Sequence, residues 1–327
     1  MPREAFSWGW SLLALVTFFR DKNSRLYHGR PVWAWAVLVL AWLGLAKTLR
    51  THAGEVLQNE IAVTRNFYGV LRVALENVDN LKLRSRMMVH GRTLHGRQFV
   101  DAERQAIPTT YYGARSGFGL ALKLAPRHSG LRVGIVGLGV GTLATYARSD
   151  DYYRFYEIDP NVIRLAREHF TFLKDCQGQV DLVLGDARLS LEREAPQNFD
   201  VLVLDAFSSD AIPVHLLTRE AWDIYLRHLR PDGILAVHVS NKFFDLKPVI
   251  DRLAEHSGLP AVKIASAGNK QAGQRDAHWM LVTSNAALLE TPKLREARKL
   301  TDVLDPSDSR NVPLWTDGYS NLVQVLK

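Results

Sequence analysis

Apolar positions along this chain follow three patterns. Beyond residue 130, short runs rich in Val, Ile, Leu and aromatic residues recur at 132–136, 152–156, 180–184, 199–204, 234–239, 261–265 and 279–283, with amphipathic stretches between most of them. Runs of four to six apolar residues are too short for buried helices and read as strands covered on both faces. Seven of them alternating with helices predict an open α/β sheet. Between 61 and 99 the period shortens to alternation in FYGVLRVAL, LKLRSRMMVH and RTLHGRQF, broken at residues 77–80 (NVDN) and at Gly91. That pattern predicts a small antiparallel sheet with a hairpin at NVDN. PTTYYGARSGFGLAL follows, a proline-started turn leading into a helix.

The third pattern is continuous. Residues 5–19 and 32–46 carry no charge and are flanked by Arg3, Arg20, Arg30 and Lys47. Fifteen helical residues cover about 22 Å against a hydrocarbon core of about 30 Å, and Arg30, Arg50 and the tryptophans at 33, 35 and 42 extend the second segment toward a span. The expected organisation is a membrane hairpin or anchor over 1–50, a small antiparallel β-domain over 51–115 and a Rossmann-like catalytic domain over 116–327.

The first long strand breaks directly into glycines: VGIVGLGVG places Gly137, Gly139 and Gly141 at a tight turn, and TLATYAR from Thr142 is expected to form the next helix. Glycine there allows a sharp turn and the close approach of a ligand. Glu157 ends the second strand twenty positions after Gly137, where an acid of a doubly wound fold takes the two hydroxyls of a ribose. A dinucleotide fingerprint needs Gly or Ala where this chain has Thr142. The pattern GxGxG followed by an acid therefore favours the nucleoside of an S-adenosylmethionine-type donor over a nicotinamide dinucleotide.

Ligands of an open α/β sheet bind outside the carboxyl ends of its strands. The acids there are Glu157 and Asp159 in YEIDP, Asp186 in LGDA and Asp205 in VLDAFSSDAIP, with Asp210 deeper in the last loop. Asp186 with Ala187 suits either an adenine edge or the N-cap of the following helix. Asp205 lies a dozen residues before the helix expected near Thr218, which makes it a functional candidate rather than a cap. His90 and His95 lack an acid or cysteine partner, so no metal site is expected and both read as strand-turn residues.

Composition narrows the partners. Of the net charge of +7, the first 100 residues hold +8 and the remainder −1. A catalytic part without basic excess argues against nucleic acid, and a basic N-terminal part suits a membrane surface. One cysteine, Cys176, allows no internal disulfide and fits a reducing compartment. Arg20, Lys22, Arg25 and Arg30 place the 20–30 loop in the cytoplasm and the catalytic domain opposite. An adenosyl sulfonium donor is a cytosolic metabolite, and that chemistry favours a membrane-associated protein with a cytoplasmic catalytic domain.

The order GLGVGT, YEIDP, GDA, DAFSSDAIP and HLLTREAW over residues 61–285 resembles the spermidine synthases, the polyamine aminopropyltransferases, whose small β-domain precedes a methyltransferase-like Rossmann sheet. RNFYGVLRV, HGRTLHGRQ, TTYYG and DGYSN resemble the branch with a membrane region fused ahead of the synthase. The resemblance implies attack by a diamine such as putrescine on decarboxylated S-adenosylmethionine, releasing methylthioadenosine, without a metal. It implies Asp205 as proton acceptor and Asp210 as second acid of that loop. Glu157 matches the ribose acid, with Asp186 and Ala187 at adenine. Gln98 matches the glutamine closing the β-domain, and Tyr111 and Tyr112 flank the amine channel. A homodimer is a further expected association. Where the family carries an acid in its glycine loop this chain has Val140, and acids are missing around TTYYG, Gly113 among their replacements. The alternatives are an S-adenosylmethionine-dependent small-molecule methyltransferase and a nucleoside- or polyamine-binding membrane protein without turnover.

Overall fold

The computed structural model describes residues 33, 36–37, 39–48, 59–91, 93–127, 129–206, 213–304 and 310–327. Two compact units result, residues 1–59 and residues 60–327. In the first, residues 39–48 are helical, and Thr48 donates its hydroxyl to the Gly44 carbonyl at 2.8 Å. Among the described residues no helix is long and apolar enough to cross a membrane. The apolar segment 5–19 lies outside the described residues and the segment 32–46 only partly within them.

The second unit begins with four antiparallel strands in sequence order, β1 (Glu60–Asn66), β2 (Gly69–Glu76), β3 (Ser85–His90) and β4 (Thr93–Phe99). The expected hairpin at NVDN joins β2 to β3, and Asn77 takes the left-handed conformation there (φ +54°), which asparagine tolerates because its short polar side chain bonds locally. One face of this sheet is apolar. Leu71, Val73 and Met88 are fully buried in the same core as the large sheet.

Helix α1 (Gly117–Leu124) follows, its N-cap Ser116 accepting from Gly119 N. The large sheet then builds from β5 (Arg132–Val136), β6 (Tyr152–Glu157), β7 (Gln179–Leu184), β8 (Phe199–Leu204), β9 (Leu229–His238), β10 (Ala261–Ser266) and β11 (Ala277–Thr283) in the order β10-β11-β9-β8-β5-β6-β7. Strands β5 to β9 are parallel, and β10 and β11 pair antiparallel. Every residue of β8 is buried, as a central strand covered on both faces requires. Helices α2 (Pro160–His169), α3 (Ala187–Arg193), α4 (Arg219–His228), α5 (Lys247–His256), α6 (Ala286–Leu289) and α7 (Pro292–Leu304) complete the unit.

One element differs from expectation. The stretch from Thr142 forms a single 3-10 turn, Thr142–Tyr146, and not an α-helix. Gly141 caps it in the left-handed conformation, and its carbonyl accepts from Ala144 N in the tighter i+3 pattern. Chain order reverses at β5: β6 lies on one side of it and β8 on the other. This is the crevice where an open α/β sheet holds its ligand.

Candidate active site

The carboxyl ends of β5, β6, β8 and β9, roofed by the small sheet and the segment before α1, enclose a cleft of about 1110 Å³. Gly137, Gly139, Glu157, Asp159, Asp186 and Ala187 line it, as do Asp205, Tyr111 and Tyr112. The sequence expectation thus converges on one place for nine of its residues.

The glycine turn serves the protein's own backbone first. A Cβ on Gly137 (φ +98°) would stand 2.4 Å from the Asp205 carbonyl, and one on Gly139 (φ +56°) 2.5 Å from the His95 carbonyl. Besides the sharp turn expected from the sequence, glycine is required here because the turn must admit the β8 loop on one side and β4 on the other. The adjacent Val140 is buried, and its side chain fills the space over Gly96 that a Cβ there would occupy.

Glu157 is anchored by main chain. Oε2 accepts from Leu138 N at 3.0 Å and Oε1 from Asp159 N at 2.9 Å. Burial pushes its carboxyl above the usual carboxylate range, and those N–H donors oppose the shift. Each oxygen keeps a second lone pair for a ligand hydroxyl. Asp159 caps α2 by accepting from Asn161 N, and it takes the Asn66 amide at 2.6 Å on the same Oδ1. Its Oδ2 is buried without a hydrogen-bond partner, so this acceptor is ready for a donor in the cleft. Asp186 is the N-cap of α3, accepting from Leu189 N at 2.9 Å, while Oδ2 lies 3.1 Å from His215 Nε2. Capping therefore coexists with a place on the cleft wall.

Asp205 stands just past β8 and is held from two sides. Tyr112 donates its hydroxyl to Oδ2 at 2.6 Å, and His238 Nδ1 lies 2.7 Å from Oδ1. Burial and the neighbouring Asp205 carboxylate push the Tyr112 phenol well above its ordinary value, so it stays a donor. His238 Nε2 reaches Ser240 Oγ at 2.8 Å, and Ser240 Oγ also accepts from His278 N at 2.7 Å. Trp279 stacks on the His238 ring at 4.6 Å and Tyr111 tilts against it at 4.9 Å. Trp279 in turn donates its indole N–H to the Tyr111 carbonyl at 3.2 Å.

Two expected residues stand elsewhere. Gln98 is buried and engaged at both ends of its amide, donating to the Gln105 carbonyl and Thr171 Oγ1 and accepting from Thr171 N, so it pins β4 to the loop after α2 and does not line the cleft. Gly141 packs beside Leu173 away from the cleft. Asp210 lies outside the described residues. The motif WTDGYSN packs on the helices: Trp315 is fully buried, and Asp317 accepts from Arg188 at 2.5 Å and from Thr218 at 2.8 Å.

Sequence reasoning missed His238, Ser240 and the role of His95. His95 lines the cleft with Nε2 buried and unpartnered; burial, reinforced by His90, pulls its pKa down to about 4, so the ring is neutral. No spacing rule flags a histidine ending an apolar strand, although VHVSN does put a proton-active side chain at a carboxyl end, where Asp205 was singled out.

A polyamine aminopropyltransferase from Vibrio vulnificus is 27% identical to this chain, over 54% of this chain and 69% of that protein. The sequence likeness is to the polyamine aminopropyltransferases. In fold, a probable spermidine synthase from Corynebacterium glutamicum matches with a TM-score of 0.57 at 18% identity, covering 80% of this chain and 98% of that one. A spermidine synthase from Thermotoga maritima matches at 12% identity with a TM-score of 0.49, covering 80% of this chain and 82% of that one. No model of a known protein family matches the chain. The shared fold is the α/β sheet of the methyltransferase type preceded by a four-stranded antiparallel sheet.

Proposed function

We propose that this protein is a spermidine synthase-like aminopropyltransferase, moving an aminopropyl group from decarboxylated S-adenosylmethionine to an amine such as putrescine. The observation that carries the reading is Asp205, a carboxylate held by a protonated tyrosine at the reversal point of the sheet, beside the acids that suit a nucleoside. A polyamine aminopropyltransferase as the sequence relative supports the same chemistry.

In this reading Glu157 and the unpartnered Oδ2 of Asp159 receive the ribose hydroxyls, and Asp186 with Ala187 borders the adenine. Tyr111 and Tyr112 flank the amine. Asp205 draws the ammonium in and drives its deprotonation, since an amine protonated at neutral pH has no lone pair for attack. The nitrogen then attacks the methylene beside the sulfonium, the carbon–sulfur electron pair goes to sulfur, and methylthioadenosine leaves. Asp210 is proposed as a second acid toward the amine. Incubating the full chain with the decarboxylated donor and putrescine should yield methylthioadenosine and an aminopropylated product by mass spectrometry. Absence of both products with this and other di- and triamines would sink the reading.

A second reading, a small-molecule methyltransferase, is favoured by Val140. Its buried, fully apolar side chain packs over Gly96 and supplies no acid to hold a donor ammonium. Calorimetry separates the two: tighter binding of the decarboxylated donor supports transfer of aminopropyl, tighter binding of intact S-adenosylmethionine supports methyl transfer. Membrane association through the N-terminal segments is also proposed, supported by exposed Trp33, Val37, Val39, Leu40, Leu43 and Leu45.

A further inference from the structure

We infer that His238, reached through the Ser240 hydroxyl and held by Asp205, is a further catalytic residue of this site and takes the proton that the attacking amine sheds. The inference rests on the aminopropyl-transfer reading and assigns the atom on which the proton ends.

The geometry is a chain of three side chains that all line the cleft: Asp205 Oδ1 to His238 Nδ1 at 2.7 Å, and His238 Nε2 to Ser240 Oγ at 2.8 Å. Carboxylate oxygens only accept, so Nδ1 carries the hydrogen toward Asp205 and Nε2 is left as the ring's acceptor, facing the Ser240 O–H. Ser240 accepts from His278 N at 2.7 Å, which fixes the oxygen, and its hydroxyl has two acceptors in reach, the His278 carbonyl at 3.4 Å and, closer, His238 Nε2 at 2.8 Å. Asp205 is oriented by one partner on each oxygen, His238 at 2.7 Å and Tyr112 at 2.6 Å, and keeps a second lone pair on each to draw the ammonium in. Imidazoles are in general stronger bases than carboxylates, so the ring is the better match for an ammonium that must be deprotonated. Its environment supports the charge that forms. Trp279 stacks on one face at 4.6 Å, and Asp205 lies directly against Nδ1. The titratable groups facing His238 from the packed elements are Asp205, Tyr111 and Tyr112, with His278 behind Ser240.

The step balances. The ammonium N–H breaks and its hydrogen goes to Ser240 Oγ, while the Ser240 hydrogen goes to His238 Nε2. A neutral amine and an imidazolium paired with Asp205 result. The freed lone pair makes the new C–N bond as the C–S bond breaks toward sulfur, and the imidazolium returns its proton to solvent after product leaves.

The test uses the full chain with the decarboxylated donor and putrescine. His238→Gln can still donate to Asp205 and accept from Ser240 but cannot store a proton. Its kcat should fall by about 100-fold, while KM for the amine moves by less than about 3-fold. Calorimetric affinity for methylthioadenosine should be unchanged, which certifies the fold. Ser240→Ala should lose kcat to a similar degree. A glutamine variant that retains kcat within about 3-fold assigns His238 to holding Asp205 in place and overturns the inference alone. Inactivity of the parent chain with every amine overturns the inference together with the reading beneath it.

Discussion

At the scale of single residues, the site is a set of carboxylates whose partners decide what each can do. Asp205 has a phenol and an imidazole as partners, so its charge is positioned and available for an ammonium. Asp205→Asn keeps the volume but removes that charge and leaves Nδ1 facing a group that no longer fixes the tautomer. Turnover should fall by about 100-fold or more with little change in donor affinity, and part of the loss should be recovered at high pH as the amine deprotonates in bulk water. A variant that instead loses donor binding would assign Asp205 to the nucleoside pocket. Glu157→Gln should weaken methylthioadenosine binding by about 1 to 3 kcal/mol, because a neutral amide is a weaker acceptor for ribose hydroxyls. Unchanged affinity would remove the ribose assignment. His95 makes a stability prediction. Its pKa is pulled from 6.5 to about 4 by burial and His90, so between those values the unfolded chain takes up a proton that the folded chain refuses. Stability from this group is complete above pH 6.5 and is lost as pH falls toward 4, by up to about 3 kcal/mol. Urea unfolding of His95→Phe should lose that part of the pH dependence between pH 4 and 6.5. If its slope matched the parent's, another group would be responsible.

At the scale of elements, legibility followed burial. The strands of the large sheet stood out in the sequence because parallel strands covered on both faces are written as unbroken apolar runs, β8 most plainly, whose six residues are all buried. The small sheet was legible in its alternation, although β1 was not separated from β2 because the Phe67–Tyr68 turn reads as part of an apolar run. What the sequence hid was juxtaposition. Asp205 and His238 are 33 positions apart, and only the parallel register of β8 with β9, which aligns Leu204 with Val237, brings them together. Gln98 failed in the other direction: its motif position was right for the β-domain, but Thr171 uses both ends of its amide. The glycine turn carries the sharpest prediction at this scale. Gly137→Ala places a methyl 2.4 Å from the Asp205 carbonyl at φ +98°, and the contact is backbone that cannot swing aside. It should lower the unfolding free energy by about 2 kcal/mol or more and displace the Asp205 loop, so activity and stability fall together. An alanine variant with parent stability and turnover would mean that the turn relaxes freely.

At the scale of the whole molecule, the question is what each unit contributes. Residues 60–327 have cores on both faces of the large sheet, with Trp222 and Trp315 on one side and Phe118 and Trp279 on the other. Every described residue of the cleft belongs to that unit. One of the two edges of that sheet is covered: α7 packs on the edge strand β10, and Thr301 accepts from Ala265 N at 2.8 Å, occupying an edge donor. A chain beginning at Glu60 is therefore expected to fold, bind methylthioadenosine and turn over like the full protein. The first unit answers to different physics. Its helical residues 39–48 present Val39, Leu40, Leu43 and Leu45 at half exposure or more, a density of apolar surface that water does not favour. Ten helical residues extend only about 15 Å, half of a hydrocarbon core, so the described part alone is too short to span one. Flotation of the full chain with vesicles containing anionic lipid should bring it to the lipid fraction, and the chain beginning at Glu60 should stay behind with its activity intact. A full chain that remains in the aqueous fraction in detergent-free buffer would remove the membrane proposal. A shortened chain that floats as well would move the lipid contact to the catalytic unit, where the exposed apolar positions of β1, Ile61 and Val63, and the neighbouring Phe67 would be the next residues to change.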